Sequence, residues 1–485
     1  MIKQLTRNTA IAAILSLSAA YPAYAAVPNT FTEGQAAYAA EVNANFTDLD
    51  GRVTTLEGGA GISTWVTIAC DDDSDALINA TITANTTYNI TGACAGPIFV
   101  TEDGVRLTGG DNTNDSIILP NGNGGIAAVN ADGAHDLRVT NLFLDLRDTT
   151  LADEAAGIYA RNSYVRIRDS RIEGGSVGIN PYRNAIVRLD GTNLITEFTE
   201  HGLMATDNSN INTRGATTVT STRTDGESLT ALYASRNSTI EIRNGITITL
   251  PAALDIGDDI NAVLAVSQGI INIRDGGTVS IGGFVGSSLN SSVRIQTGTI
   301  TGDIDVGEAS SLFMDSSEVT IIGDAEVHDS GSWFADGGGS ITGTIRVFRG
   351  GVVYLNDMTQ SSNDYYAIYL NLNSSMDAQN SDLGRFFVTS NSALQLNDSL
   401  VKGGEMHLGA VGSISNTQIT AEVTISSNAG AHFTGATDFN FNNLINLDCN
   451  STSLMVANTV INISNIVDAS EWGIYCPGDV SWGDL

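Results

Sequence analysis

Few residues in this chain could carry out a reaction. Apart from Lys3, the only lysine is Lys402, in "LVKGGEMHLG", with Glu405 and His407 close behind. A base of this kind, with Arg385 beside it from the adjoining repeat, could remove a proton next to a carboxylate, a step that also needs a cation to neutralise the acid. The plainer reading of Lys402 is a solvated side chain at a turn. A second pattern is ionic: Arg168, Arg214, Arg243 and Arg274 stand three residues beyond an apolar anchor in four of five successive repeats. Stacked guanidinium groups repel, so they need acids or an anionic ligand. Asp169, Asp190, Glu241 and Asp275 are the acids at hand, and an acidic glycan is the other partner that fits. A third is aromatic: "DYYAIYLNL" supplies Tyr365, Tyr366 and Tyr369, followed by Phe386 and Phe387. Strand alternation would send part of that group inward, so core packing should account for at least half of it.

The elements that must position these residues repeat. "NSYVRIRDSRI" returns as "NSNINTRGATTV", "NSTIEIRNGITI", "NSSVRIQTGTI" and "NSALQLNDSL". Aligned by first apolar residue, the anchors are Val165, Val187, Ile211, Ile240, Ile271, Val293, Leu312, Trp333, Val352, Met376, Leu394 and Ile414. Most steps are about twenty residues and a few about thirty, the period of a solenoid. Each unit alternates apolar and polar, as in Val165-Arg166-Ile167, which predicts short strands with one face buried. Asn-Ser before the strand and Asp-Ser, Asn-Gly or Asp-Gly after it supply tight or left-handed turns, so each unit reads strand, turn, strand, turn, with no room for a helix. Propeller blades need ~40 residues and leucine-rich repeats need a Leu and Asn spacing missing here, whereas a parallel β-helix needs about twenty per coil.

The opening "MIKQLTRNTAIAAILSLSAAYPAYAA" has a basic start, an apolar run and small residues at Ala23 and Ala25, the pattern of a secretory signal over residues 1–25. Its apolar run is shorter than the ~20 residues of a spanning helix, so the expectation is a secreted or cell-surface protein with no membrane span. Without Lys3 and Arg7, 20 of the 22 basic residues remain against 54 acidic, a balance of −34. That field repels nucleic acid and anionic membranes. Four cysteines suit disulfides after export, and of three connectivities the pairing of neighbours, Cys70 with Cys94 and Cys449 with Cys476, is favoured. Zinc is disfavoured, because no Cys-x-x-Cys occurs and the five histidines lie far apart. Asp71, Asp73 and Asp75 have the alternating spacing of a calcium loop, but position twelve is Ile82 and the central Gly is absent. An acidic helix cap, with Asp73 or Ser74 capping "DALINATI" and Leu77 and Ile78 over the first coil, explains them better. No motif requires a cofactor, and calcium is the cation that exposed acids could accept.

Between signal and first coil, Ala39, Val42, Phe46, Leu49, Val53 and Leu56 recur in steps of three and four, a heptad seam within residues 26–59. The segment "AAEVNANFTDL" resembles short helices of phage-fibre-like and bacterial surface proteins, which implies a homo-oligomer, with a trimer expected.

The coil grammar from about Val66 to Phe439 resembles the right-handed β-helix proteins of the pectate-lyase-like group. "VTIACDDDSDALINATITANTTYNITGACAGPIFVTEDGVRLTGG" is similar to the cap and first coils of its secreted members, with Cys70 and Cys94 flanking a short capping helix. The resemblance implies an all-β, right-handed parallel β-helix over 60–440, including its N-terminal cap, and the pairing of Cys449 with Cys476 would close a C-terminal cap over 441–485. It implies no single function, because the group holds lyases, hydrolases, esterases, tailspikes and noncatalytic adhesins. The hydrolase pattern of Asn-Thr-Asp, Asp-Asp, His-Gly and Arg-Ile-Lys fails: His201-Gly202 and Asp258-Asp259 occur in the wrong order and the other two are absent. The lyase signatures Trp-x-Asp-His and Arg-x-Pro-x-x-Arg are absent as well. The expectation is a binding or structural, adhesin-like protein, glycan-binding and noncatalytic, with a lyase or glycoside hydrolase of acidic polysaccharides as the alternative. A lateral groove near Thr220 to Ala262, with acids and an arginine converging, would favour the enzyme.

Overall fold

The computed structural model describes residues 64–120, 127–149, 155–223, 228–251, 259–274, 279–315 and 319–421, then short runs at 423–425, 429–434, 438–439, 445–448, 453–456 and 474–475. The signal, the seam residues Val42, Phe46, Leu49, Val53 and Leu56, and Asp258, Asp275, Cys449 and Cys476 lie outside the described residues.

Among the described residues from Trp65 onward the chain is a right-handed-type parallel β-solenoid of about 15 turns with almost no helix. Each regular coil contributes three strands, one more than the strand-turn-strand-turn unit read from the sequence. Tyr164–Arg168 lies on a first face, Arg171–Gly174 on a second and Val177–Tyr182 on a third. Each pairs in parallel with its counterpart one coil on, as Val165 with Val187, Ile172 with Ile195 and Ile179 with Leu203. The third strand escapes the periodic pattern because its flanking segments vary in length from coil to coil.

The inward positions form one continuous core. The anchor column runs Val165, Val187, Ile211, Ile240, Ile271, Val293, Leu312 and Trp333, each opposite the next. Burying each such side chain contributes about 1.5–3 kcal/mol. Two expected anchors are displaced. Val353 faces Trp333 in the core while Val352 is 40% exposed, an ambiguity inherent in two adjacent valines. Gly412, not Ile414, stands opposite Leu394, and Ile414 follows Leu396. A Cβ at Gly412 would come within 2.8 Å of the Met406 methyl, so the Met406 side chain takes up the space that an anchor there would fill.

The Asn-Ser signature has a physical role. Asn208, Asn237, Asn290, Asn373 and Asn391 take left-handed φ values of 59–61° at the corner leading into the first face, a conformation that Asn tolerates. The serine that follows is buried and bonds along the stack: the Ser209, Ser291 and Ser374 amides donate to the hydroxyls of Ser238, Ser310 and Ser392 at 3.2, 3.1 and 3.3 Å. Each such bond contributes about 0.5–1.5 kcal/mol and fixes the register.

At the N-terminal end the expected helix is one 3-10 turn, Ser74–Ala76, capped by Asp73, whose carboxylate accepts from the Asp75 amide at 3.1 Å. Leu77 enters the core, whereas Ile78 stays 45% exposed. Cys70 and Cys94 form a disulfide that closes this cap. Among the described residues no helix is long and apolar enough to cross a membrane.

Candidate functional site

The arginine column assembles as its spacing implied. The amides of Arg214, Arg243 and Arg274 bond to the carbonyls of Leu189, Thr213 and Ile242 one coil back, and Arg168 stands opposite Asp190. Acids engage most of it: Arg168 lies 3.1 Å from Asp169, and Arg243 and Arg274 lie 2.8 and 3.8 Å from Glu241. Asp190, expected against this column, instead holds Arg188 at 2.8 Å. Arg214 is exposed and its side chain forms no ion pair among the described residues. Asp169 also ties the coils together, accepting from the Thr192 amide at 2.8 Å. That contact needs Gly191, since a Cβ there would sit 2.1 Å from the carboxylate and the backbone φ is 69°.

A more continuous column escaped the sequence reading. Arg106, Arg138, Arg166 and Arg188 face outward at one register position in four consecutive coils of the first face. Arg166 and Arg188 follow recognised anchors, but Arg106 and Arg138 precede the first of them. The steps of 32, 28 and 22 residues hide the alignment.

Arg385, expected beside Lys402, is instead in contact with Glu405 and Tyr365. On the third face it lies 3.8 Å from Glu405, and its guanidinium sits over the Tyr365 ring at 4.4 Å. The Tyr366 hydroxyl donates to one Glu405 oxygen, and His407 Nε2 bonds to the other at 2.9 Å. Burial raises the Glu405 pKa, but the bonds from Tyr366 and His407 and the Arg385 charge outweigh it, and the carboxyl titrates below its usual range. Burial, then the Glu405 bond, pushes the Tyr366 phenol well up, so it stays protonated. Lys402 is exposed and forms no ion pair with Glu405 or any other described acid. Of the five aromatic residues only Phe386 belongs to the core. Tyr365 is 64% exposed, and Tyr369 stacks on Phe387 at 5.1 Å. Core packing therefore accounts for less of the group than expected, because the strand begins only at Ile368 and alternation does not govern Tyr365 and Tyr366.

A concavity lies elsewhere on the third face, five or more coils earlier in the chain. It encloses ≈ 380 Å³, within the range of about 300–1,000 Å³ of small-molecule sites. Tyr159, Tyr182 and Tyr233 line it with Asn180, Met204 and Arg236. Tyr159 and Tyr182 lie 6.2 Å apart, and Tyr233 stacks on His201 at 4.7 Å. Burial pushes the His201 imidazole down to about 4, so it is a neutral backing ring at physiological pH. The Asn180 side-chain oxygen is buried without a hydrogen-bond partner. The groove overlaps the region where acids and an arginine were to mark an enzyme, but only the arginine is present: no described Asp or Glu lines it. Asp207, outside the described lining, pairs with Arg236 at 3.5 Å. Tyrosines and amides on separate third-face strands carry no local motif, which is why sequence reasoning missed them.

Among known proteins, no family model, no curated protein and no solved structure matches this chain. The class defined by fold and surface is thus a parallel β-solenoid with a tyrosine-lined lateral groove.

Proposed function

We propose that the protein is an exported or surface-associated β-helix of the pectate-lyase-like kind that binds glycans in the third-face groove and does not cleave them. The observation that carries this reading is the set of Tyr159, Tyr182 and Tyr233 lining one concavity with Asn180. Aromatic faces stack on the C–H faces of sugar rings, while amide and hydroxyl groups select the hydroxyl pattern. Glycosidic hydrolysis needs two carboxylates flanking the bond, and among the described residues the groove lining has none. Export rests on the N-terminal signal and trimerisation on the heptad seam; an unchanged sedimentation mass after deletion of residues 26–59 would remove the trimer.

Titration calorimetry of the full chain with neutral and acidic oligosaccharides tests the groove. Tyr233→Ala should weaken binding about tenfold and Tyr233→Phe much less, since the ring supplies the contact. Equal affinity in wild type and Tyr233→Ala, or no binding of any oligosaccharide, refutes the assignment.

The lyase alternative draws on Arg385 converging with Tyr366, Glu405 and His407. In that reading Arg385 or Lys402 is the base on a uronate and calcium neutralises the acid. Against it, Arg385 is already engaged by Glu405 and Tyr365. Incubation with uronate polysaccharides, with and without calcium, while following the absorbance of unsaturated products, decides: product lost in Arg385→Ala or Lys402→Ala would establish the lyase.

A further inference from the structure

The first face carries a different feature. The whole chain has a formal charge of −32, yet 15 arginines and 21 acids lie between Arg106 and Arg294, against four basic residues and 22 acids from Ile295 to the end. Within the arginine-rich part, Arg106, Arg138, Arg166 and Arg188 stack at one outward position with no other residue type between them. Adjacent coils of a parallel sheet are about 4.8 Å apart, so four guanidinium groups form a row that repels itself. Two carboxylates answer them. Asp136 receives Arg138 at 2.7 Å and Arg166 at 3.3 Å, and Asp190 receives Arg188 at 2.8 Å. Arg166 also lies over the Tyr164 ring, 5.1 Å from its centre. The Arg106 side chain is exposed and has no ion pair among the described residues. Beside the row stand Arg168, 66% exposed and 3.1 Å from Asp169, and Arg214, which is exposed, so six arginines meet three carboxylates. Positive charge therefore exceeds negative along this strip, against the sign of the molecule.

We infer that this arginine row is a binding track for a linear polyanionic glycan bearing about one acidic group per sugar, running along the solenoid axis. The repeat of the row is one charge per coil, close to the length of one sugar in an extended chain, so successive acid groups meet successive guanidinium forks. Every cation in the row is arginine, whose planar fork binds carboxylate and sulfate bidentately. The surrounding negative field would repel a polyanion from the rest of the surface and confine it to this strip. The track lies on a different face from the tyrosine groove and does not depend on it.

Surface-immobilised full chain, titrated with a polyuronate, a sulfated glycan and a neutral glycan of matched length, tests the inference. At low salt both polyanions, or one, should bind and the neutral chain should not bind this strip; binding should fall at least about tenfold between 50 and 200 mM salt, as ion release requires. Arg138→Gln with Arg166→Gln should weaken polyanion binding about tenfold and flatten the salt dependence, while Arg138→Lys with Arg166→Lys should recover part of it. The loss in Arg138→Gln with Arg166→Gln should be the same fold-change with or without Tyr233→Ala, which separates this track from the groove. Preference for polyuronate identifies carboxylate, preference for the sulfated chain identifies sulfate, and equal binding identifies charge alone. Absence of polyanion binding at low salt, or undiminished binding in the correctly folded glutamine variant, overturns the proposal.

Discussion

The outward column of the first face changes chemistry along its length. Through the early coils it reads Arg106, Arg138, Arg166, Arg188; after Arg294, at the same register position, it reads Phe313, Phe334, Tyr354. Phe313 and Phe334 stack nearly parallel with centroids 5.2 Å apart, so the later stretch is held by ring contact. The earlier stretch is held by Asp136 and Asp190. Behind both, the same apolar column continues from Val165 to Trp333. The backbone of a solenoid fixes what points inward and leaves the outward row free, and here that freedom is used for charge in four early coils and for aromatic surface in three later ones, with Asn212, Glu241 and Asn272 between and Asp377 after.

Titration differs in the same direction. Burial pushes Asp145 up, but bonds from Arg147 and the Arg147 and Arg171 charges outweigh it and the group is lowered. Asp315, at the boundary, is lowered by its bond to Arg294. Asp377, in the later half, is raised by burial, and its Oδ1 has no hydrogen-bond partner. Burial, then Asp336 and Asp377, also raises the Tyr354 phenol.

The comparison can be broken at several levels. If both halves share one kind of core, Trp333→Ala and Ile167→Ala should both cost several kcal/mol, about 3–5 for the first and about 2–5 for the second, in urea unfolding followed by amide exchange in each half. A large loss in only one half would mean that the cores are not equivalent. Opening the cap with Cys70→Ser should cost about 2–4 kcal/mol, and exchange should show that loss concentrated in the first coils. On the outer column, Phe334→Ala should cost about 1–2 kcal/mol by losing ring contact and burial, whereas Arg166→Ala should change stability by no more than about 0.5 kcal/mol, because a surface pair is lost while crowding of like charge is relieved.

The smallest effects concern pH. Asp315 has a folded-state pKa below its unfolded value near about 3.9, so its contribution is complete above that value and is lost as pH falls through the folded one. Asp315→Asn should therefore destabilise at neutral pH, by less than about 1 kcal/mol, and lose its effect in acid. Asp377 has the opposite sign: its raised folded value makes the charged form a cost at neutral pH, relieved as pH falls through that value. Asp377→Asn should be neutral or stabilising at neutral pH, measured by urea unfolding across the acid range. Equal signs for the two variants would remove the electrostatic contrast between the halves.

Much of the fold was legible because its rules are local. Alternation marked the strands, Asn-Ser marked the left-handed corner with its buried hydroxyl, and most anchors stand where the repeat placed them. Legibility failed where a local rule was ambiguous, at Val352-Val353, or was replaced by packing from elsewhere, at Gly412 beneath Met406. For the candidate sites the pattern reversed. Arg168, Arg214, Arg243 and Arg274 could be aligned because they follow recognised anchors at a constant offset. Arg106 and Arg138 could not, since the intervening segments differ in length. Tyr159, Tyr182 and Tyr233 share a groove through pairing between coils, with no short-range signal.

By itself, then, the sequence determined a repeating strand unit with an apolar interior and its punctuating turns, because side-chain alternation and left-handed corners are properties of a few consecutive residues. Only the tertiary structure decided which outward residues become neighbours: the arginine row, the tyrosine groove and the Arg385–Glu405 cluster. The physical reason is that lateral contact between coils is set by register across segments of unequal length, and register is settled by the hydrogen-bonded ladder and the packed core.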